Sequence, residues 1–257
     1  MEPPAPAVFV LGATGYVGRA VVEAAARMED VARVVAHARP GSSSASRLEP
    51  LACGKVTVER CPLEPAALRA ALEAAAPTHL LVCHGTTARR GRAEGIADPY
   101  EAVDVGLTRL IVEAAQVLSP PPRVVYLSAV GTSARARGAY LAARWRAEEA
   151  VRASGLPFTI CRAPLLGGPD RAEARPLETV GRHLGDPLLR VLGALGLGRL
   201  RDRWSSMDAS EAAEGLLRSG FHYMTINRVV ESDELRRVGV YERERWTPES
   251  RRDTARH

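Results

Sequence analysis

Short apolar runs alternate with alanine-rich, amphipathic stretches through the first two thirds of the chain. Several of these runs are apolar at every position, which is typical of parallel strands buried on both faces. The predicted strands are Ala7 to Leu11, Arg33 to Ala38, Lys55 to Arg60, His79 to Cys83, Arg123 to Leu127 and Phe158 to Arg162, with a further one within Thr225 to Val230. The predicted helices begin near Tyr16, Pro65, Tyr100 and Tyr140. This alternation predicts a doubly wound α/β fold built on one parallel sheet.

The last third of the chain departs from this alternation. Leucines recur at helical spacing between Pro176 and Arg203, which predicts a small C-terminal helical substrate cap around residues 165–207. This cap either closes the core as a helix pair, lines a pocket for a hydrophobic ligand or lies on a membrane surface. We expect residues 1–238 to form a single domain that includes the cap. Residues 239–257 are polar and arginine-rich, so we expect a loosely ordered tail.

Charge and composition exclude several classes of partner. The chain carries 35 basic and 30 acidic residues, and the basic ones are scattered among the acids, which is typical of a solvated surface and not of a nucleic-acid site. The cysteines and histidines lack metal-ligand spacing, so we expect no metal. No apolar run reaches the roughly 18 residues that a membrane span needs. We therefore expect a cytoplasmic protein. Its oligomeric state, monomer or homodimer, is left open, and the apolar cap predicts that it binds a small and largely apolar molecule.

A glycine-rich turn joins the first predicted strand to the first predicted helix. It comprises Gly12, Ala13, Thr14, Gly15, Tyr16, Val17 and Gly18. Gly12 permits a tight turn, Gly15 lets the backbone approach a pyrophosphate, and Gly18 lets the helix pack closely on the strand. The helix N-terminus then faces the negative charge of the phosphates. In this strand-to-helix context the spacing predicts a Rossmann-type site for a nicotinamide dinucleotide.

The end of the second strand indicates which dinucleotide is bound. A site that prefers NAD usually carries an acid there, whereas this chain has Arg39 after His37 and Ala38. We expect Arg39 to pair with the 2′-phosphate of NADPH and Ser43, within Ser42 to Ser44, to donate a hydrogen bond to it. The alternative is that Arg39 is only a solvated loop residue. The sequence predicts that NADP(H) is preferred and that NAD(H) is possible.

Side chains after the fourth and fifth strands are candidates for chemistry. His84 and Gly85 follow the fourth strand and are expected to border the cofactor, with His84 either a further acid or base or a residue that only supports the site. Ser128 follows the fifth strand, at the sheet edge where open α/β sheets bind ligands. Tyr140 and Arg144 lie one helical turn apart on the next helix.

These three residues predict carbonyl chemistry. In such an arrangement a tyrosine hydroxyl exchanges a proton with a carbonyl while a serine hydroxyl holds the carbonyl oxygen. The cation of Arg144 would stabilise the tyrosinate and bind the nicotinamide ribose. The alternative is that Tyr140 only packs on the core. The Gly-x-Ser-x-Gly elbow of hydrolases is absent from the sequence, which argues against acyl transfer.

Longer segments resemble a known superfamily. The glycine turn, the segment VVYLSAVG and the segment YLAARWRAEEAVRASGLPFTICRAPLLGG together resemble the extended or atypical short-chain dehydrogenase/reductases over residues 7 to 238. The GTT at Gly85 to Thr87, the VD at Val103 and Asp104, and the arginine-rich stretch Arg162 to Pro176 resemble the NAD(P)H-binding branch that includes NmrA-like proteins and the Tat-interacting protein oxidoreductase. The resemblance implies that Ser128 and Tyr140 are catalytic. It also implies that Pro164, Leu165 and Leu166 lie beside the nicotinamide.

The chain departs from the superfamily pattern at two points. Arg144 stands where the family has a lysine, and a guanidinium differs in reach and cannot relay a proton. Cys61 and Pro62 stand where the family commonly places an aspartate that recognises adenine, so we expect backbone groups to hold the adenine there. The sequence predicts an NADPH-dependent oxidoreductase that reduces a carbonyl, or a conjugated carbonyl, of a small apolar molecule. The alternatives are a non-catalytic NADPH-binding redox sensor or assembly protein, and an NAD-dependent isomerase or epimerase.

Overall fold

Seven parallel strands form one sheet in the part of the chain that the structure, a computed structural model, describes, namely residues 5–167 and 198–245. The strands are β1 Ala7–Leu11, β2 Arg33–Ala38, β3 Val56–Arg60, β4 His79–Val82, β5 Arg123–Ala129, β6 Phe158–Ala163 and β7 Arg228–Val230. Their order in the sheet is β3-β2-β1-β4-β5-β6-β7, and every neighbouring pair is parallel. The order reverses between β1 and β4, which confirms the predicted doubly wound fold.

Helices cover both faces of the sheet. They are α1 Tyr16–Arg27, α2 Pro65–Ala75, α3 Ala88–Ala93, α4 Leu107–Gln116, α5 Ala139–Ala153, α6 Gly198–Trp204, α7 Ala209–Phe221 and α8 Ser232–Arg245. A π-type helical turn, Tyr100–Gly106, runs directly into α4, and Ser43–Arg47 forms a 3-10 turn after β2. The two faces of β1 bury alternate residues: Val8 and Val10 pack in the core layer that contains α1 and α7, and Phe9 and Leu11 in the layer that contains α2 and α4.

The observed strands agree closely with the apolar runs of the sequence. The main difference near the site is that β5 continues to Ala129, so Ser128 lies on the strand itself. The last strand begins at Arg228 and not at Thr225, the start of the predicted segment. Thr225 instead belongs to a 3-10 turn, Tyr223–Thr225. Most of the predicted cap, and residues 246–257 of the predicted tail, lie outside the described residues.

The part of the C-terminal region that is described packs on the sheet. α6 follows the undescribed segment, and Leu166 forms a parallel β-bridge with Met207. α8 continues to Arg245, beyond the boundary at residue 238 that the polar composition suggested. Within residues 5–167 and 198–245, none of the helices combines the length and the apolar character that a bilayer crossing requires.

Candidate functional site

A cavity of about 890 Å³ opens along the carboxyl ends of the strands. Its walls come from the turns that follow β1, β2, β4, β5 and β6, and from the first turns of α1 and α5. It therefore spans the point between β1 and β4 at which the strand order reverses. Doubly wound sheets bind their ligands at this crevice, so the cavity is the candidate functional site.

The glycine turn forms one wall of the cavity. Gly12 has a φ of +79°, and a Cβ added there would lie 2.7 Å from the backbone nitrogen of His84. A Cβ at Gly18 would overlap with the carbonyl of Gly12, so helix and strand pack at a distance that only glycine permits. The backbone N–H of Gly15 donates to the Gly12 carbonyl at 2.9 Å. These contacts account for the spacing of the glycines in the sequence.

The start of α1 is open to an anion. Gly15 is the N-cap residue and makes no side-chain cap hydrogen bond, and the first backbone N–H groups of a helix have no acceptor within the helix itself. Thr14, Gly15, Tyr16 and Val17 line the cavity at this point, while Ala13 is buried behind them. A cradle of bare backbone at a helix N-terminus fits the pyrophosphate of a dinucleotide.

The cavity wall beyond β2 differs from the expected one. Ser44 and Arg47, on the 3-10 turn, line the cavity together with Arg19 of α1. Neither Arg39 nor Ser43 is among the lining residues, and both are exposed. Arg47 and Arg19 were not among the residues predicted from the sequence. Arg47 follows the predicted serine donors by three residues in the sequence, but that spacing alone does not distinguish it from Arg39.

Cys61 and Pro62 do not reach the cavity. Cys61 is buried, and its carbonyl oxygen is 2.9 Å from Nε2 of His37. His37 is itself buried, and burial lowers its pKa below the ordinary value of 6.5. The end of β3 is thus bonded to the end of β2.

Ser128 and Tyr140 both line the cavity. Ser128 lies at the carboxyl end of β5, and its hydroxyl donates to Oε1 of Glu148 at 2.6 Å. Tyr140 lies in the first turn of α5, and its ring packs against that of Tyr100 with centroids 5.6 Å apart. The structure therefore brings the predicted serine and tyrosine to one cavity.

Arg144 also reaches this wall, but protein groups already hold it. Its Nη1 donates to the Tyr126 hydroxyl at 2.9 Å and to the Leu127 carbonyl at 3.1 Å, and its Nη2 lies 3.1 Å from Oδ1 of Asp104. Burial opposes the charge, yet Tyr126, Tyr140 and Asp104 outweigh it and hold the pKa of Arg144 well above its ordinary value. Arg144 is therefore a permanent cation. Its Nε has no hydrogen-bond partner among the described residues.

Gly85 makes room for this cation. A Cβ at position 85 would overlap with Nη2 of Arg144. Gly85 lines the cavity next to Arg144, so a larger residue there would displace the guanidinium. Gly85 lies beside the cavity, as expected. A glycine suits this position because the guanidinium of Arg144 occupies the space that a side chain would need.

His84 lines the cavity as a neutral imidazole. Its Nε2 is 3.2 Å from the Thr108 hydroxyl, which donates its own hydrogen to the Asp104 carbonyl at 2.6 Å. His84 must therefore be the donor in this contact, through Nε2–H, and its Nδ1 carries the lone pair. Burial and the neighbouring Arg144 lower the pKa of His84 to about 3. The ring consequently does not change its protonation state near pH 7.

Apolar side chains form the remaining wall. Pro164, Leu165 and Leu166 line the cavity as expected, and Leu141 and Trp204 join them. The segment is fixed by backbone hydrogen bonds, since the Met207 N–H donates to the Leu165 carbonyl at 2.9 Å. This wall gives the site an apolar side next to its polar groups.

Comparison with known proteins is consistent with this geometry. The model of the NAD(P)H-binding family matches residues 12–185. No curated protein matches the chain in sequence. The UDP-glucuronic acid 4-epimerase of Bacillus cereus, solved with UDP-glucuronic acid and NAD, is 14% identical; the match covers 88% of this chain and 76% of that one, with a TM-score of 0.64.

Two further solved structures share the fold. The terminal R domain of the myxalamid PKS-NRPS biosynthetic pathway is 17% identical over 90% of this chain and 67% of that one, with a TM-score of 0.62. The Bordetella bronchiseptica enzyme WbmH, solved with NAD+, is 13% identical over 84% of this chain and 73% of that one, with a TM-score of 0.57. At these identities the likeness is one of fold. The family match, the glycine cradle and the cavity agree: the chain belongs to the NAD(P)H-binding family.

Proposed function

We propose that the protein is an NADPH-dependent oxidoreductase that reduces a carbonyl group of a small, largely apolar molecule. One observation carries this proposal: a single cavity joins the glycine cradle to Tyr140 and Ser128. The apolar wall formed by Leu141, Leu165 and Leu166 suits a substrate with little polar surface.

The residues of the chain divide the chemistry among them. A bound dihydronicotinamide supplies the hydride. Tyr140 gives its hydroxyl proton to the carbonyl oxygen. The carbonyl group thereby becomes an alcohol. The Cζ atom of Arg144 lies 5.4 Å from the centre of the Tyr140 ring, and its fixed positive charge stabilises the negative charge that Tyr140 acquires. The tyrosine then recovers a proton from solvent.

Removal of the Tyr140 hydroxyl tests the proposed reductase activity. We expect the wild-type protein to consume NADPH with at least one member of a panel of apolar ketones and aldehydes. Tyr140→Phe should lower turnover a hundredfold or more while dinucleotide binding persists, because general acid catalysis is typically worth about 10²- to 10⁴-fold. Tyr100→Phe is the matched control, since Tyr100 packs on Tyr140 but is not among the cavity-lining residues. Turnover that survives Tyr140→Phe contradicts the proposal.

The preference for NADPH rests on the basic residues beyond β2. Arg47 and Ser44 line the cavity, and Arg19 faces it from α1, so we assign them to the 2′-phosphate with Arg39 nearby in sequence. A charged hydrogen bond of about 1.5 to 3 kcal/mol corresponds to roughly a ten- to hundredfold change in affinity. Calorimetry should show that loss for NADPH in Arg47→Ala and almost none for NADH.

Two further variants serve as comparisons. Arg60→Ala removes an exposed arginine that pairs with Glu49 and does not line the cavity, so it should leave both affinities unchanged. Arg39→Ala tests the residue that the sequence favoured. Equal losses for NADPH and NADH in Arg47→Ala would remove Arg47 from the phosphate site.

The bonds of Arg144 favour one alternative function, a protein that senses or responds to NADPH without turning it over. Tyr126, Leu127 and Asp104 occupy both Nη atoms of Arg144, which leaves few donors for a nicotinamide ribose. Such a protein would be stabilised by NADPH, with a melting temperature that rises with ligand concentration, yet would oxidise none. Turnover that depends on Tyr140 excludes this alternative.

A further inference from the structure

A tryptophan with half of its surface exposed lines the apolar side of the cavity. Trp204 is the last residue of α6, and it is 49% exposed. Contact with water is unfavourable for so large an apolar ring. Single apolar side chains are common on protein surfaces, but Trp204 lines the cavity together with Leu141, Leu165 and Leu166. The exposed indole is therefore part of a binding surface and not an isolated surface residue.

The indole lies beside the turn that follows β5. A Cβ added at Gly131, in that turn, would be 3.6 Å from Cδ1 of Leu141 and 4.0 Å from Cη2 of Trp204. The edge of the six-membered ring of the indole is therefore close to Leu141, which directly follows Tyr140 in the chain. In the sheet, β4 separates β5 from β1, the strand that leads into the glycine turn. The indole thus lies on the Tyr140 side of the cavity and away from the glycine cradle.

Hydrogen bonds from α8 hold the end of α6 that carries Trp204. Nε of Arg236 donates to the carbonyl of Asp202 at 2.9 Å. Its Nη2 donates to the carbonyls of Ser205 at 2.7 Å and of Ser206 at 2.9 Å. Binding groups keep their geometry better on backbone that is fixed in this way than on a free loop. The protein therefore presents the indole at a defined position in the cavity wall.

We propose that Trp204 is a specificity-determining residue that selects substrates whose carbonyl group is attached to a planar aromatic ring. Two aromatic rings prefer offset-stacked or edge-to-face contact, which stabilises the pair beyond the apolar area that it buries. A saturated ring of the same size gains only from the buried area. The inference rests on the proposed function, which places the reacting carbonyl at Tyr140. A ring attached to that carbonyl then reaches Leu141 and the indole beside it.

Two small ketones test this preference. Acetophenone and cyclohexyl methyl ketone carry the same acetyl group on a planar and on a saturated six-membered ring, and ligand-observed NMR measures their affinities for the full chain with NADP+. Trp204→Leu should weaken acetophenone roughly two- to tenfold more than cyclohexyl methyl ketone. Trp204→Phe should keep most of the difference, because an aromatic ring remains. Equal losses for the two ketones in Trp204→Leu would overturn the proposal, as would a wild-type protein that binds neither ketone at millimolar concentration.

Two controls separate recognition of the ketone from other effects. Trp145 packs on α5 against Arg152, whose Cζ lies 5.0 Å from the centre of the Trp145 ring, and is not among the cavity-lining residues. Trp145→Leu should therefore leave the preference for acetophenone intact, and its loss in this variant would count against the proposal. Calorimetry should give Trp204→Leu the wild-type affinity for NADP+. A loss for NADP+ as large as that for acetophenone would show that the indole binds the cofactor instead.

Fluorine NMR tests the contact even if the Trp204 variants do not fold. The chain has three tryptophans, so Trp145→Phe and Trp246→Phe identify the Trp204 signal of fluorotryptophan-labelled protein by elimination. Acetophenone should shift the Trp204 signal and leave that of Trp145 in place, and an unmoved Trp204 signal would refute the contact. None of these binding measurements needs turnover. Aromatic preference without NADPH oxidation would therefore remove only the reductase, whereas turnover that depends on Tyr140 with equal ketone losses would remove only the role of Trp204.

Discussion

Replacing Asp104 by asparagine removes the negative charge that faces Arg144 inside the protein. Both side chains are almost fully buried, at 0% and 8% exposure, with Oδ1 and Nη2 3.1 Å apart. Charge centres about 4 Å apart attract by roughly 4 kcal/mol at an effective dielectric constant near 20. Breaking a buried pair from one side typically costs about 3 to 5 kcal/mol, because the remaining charge stays buried. We expect Asp104→Asn to lower the free energy of unfolding by about 4 kcal/mol.

Urea unfolding with linear extrapolation measures this change. The matched control is Glu234→Gln, because Glu234 and Arg228 lie 3.3 Å apart but both side chains are far more exposed, at 35% and 50%. An exposed pair contributes less than about 1 kcal/mol. Adding Arg144→Met to Asp104→Asn should recover part of the loss, since no charge is then left unpaired. Losses of similar size in Asp104→Asn and Glu234→Gln would refute this reasoning.

Two further predictions concern pH and the glycine turn. Burial lowers the pKa of His84 to about 3 and that of His79 to about 4. As the pH falls, these histidines therefore take up protons in the unfolded chain before they do so in the folded protein. Each of the two histidines should lower the free energy of unfolding by up to about 2 kcal/mol as the pH falls from 7 to 5. Above the ordinary histidine pKa of about 6.5 neither should have an effect. NMR titration midpoints near 6.5 for both rings would contradict this. Gly12→Ala should abolish dinucleotide binding by calorimetry, because its Cβ would meet His84, whereas Gly54→Ala, with a φ of +57° but open space, should not. Equal binding by the two variants would disprove the steric argument.

The fold was predictable because its strands are encoded locally. β1 is apolar at every position, which only a sheet covered on both faces explains. The glycines after it follow from backbone geometry, so their roles could also be derived from spacing. Ser128, Tyr140 and Arg144 all line the cavity, and their common location could be expected because one lies at a strand end and the other two lie one helical turn apart.

The cavity wall beyond β2 was not predictable in the same way. Arg39 and Arg47 are both arginines in one polar loop, and the direction of each side chain depends on the 3-10 turn at Ser43–Arg47. That turn has no strong signal in the sequence. Spacing therefore predicted a basic, serine-rich wall. Ser44 and Arg47 line the cavity there, whereas Arg39 and Ser43 do not.

The sequence also did not reveal which acidic residues are buried. Glu148 stands in the segment RAEEAV, where it resembles any surface acid, yet it is fully buried. Asp104 belongs to the VD pair that resembles the NAD(P)H-binding branch, but nothing in that pair predicts that Asp104 is buried against Arg144. A weak signal exists in the spacing of four that joins Tyr140, Arg144 and Glu148 on one face of α5. Their partners lie on β5, β6 and the π-type turn, so only the tertiary structure reveals the pairing.

The close approach of Gly85 to Arg144 makes these two positions interdependent. No side chain fits at 85 while the guanidinium keeps its place. A homologue with a shorter or more flexible residue at 144 is free of that restriction, so the two positions should covary among relatives of this chain. A side chain at position 85 would displace the guanidinium, so reshaping this part of the cavity requires the two positions to be changed together.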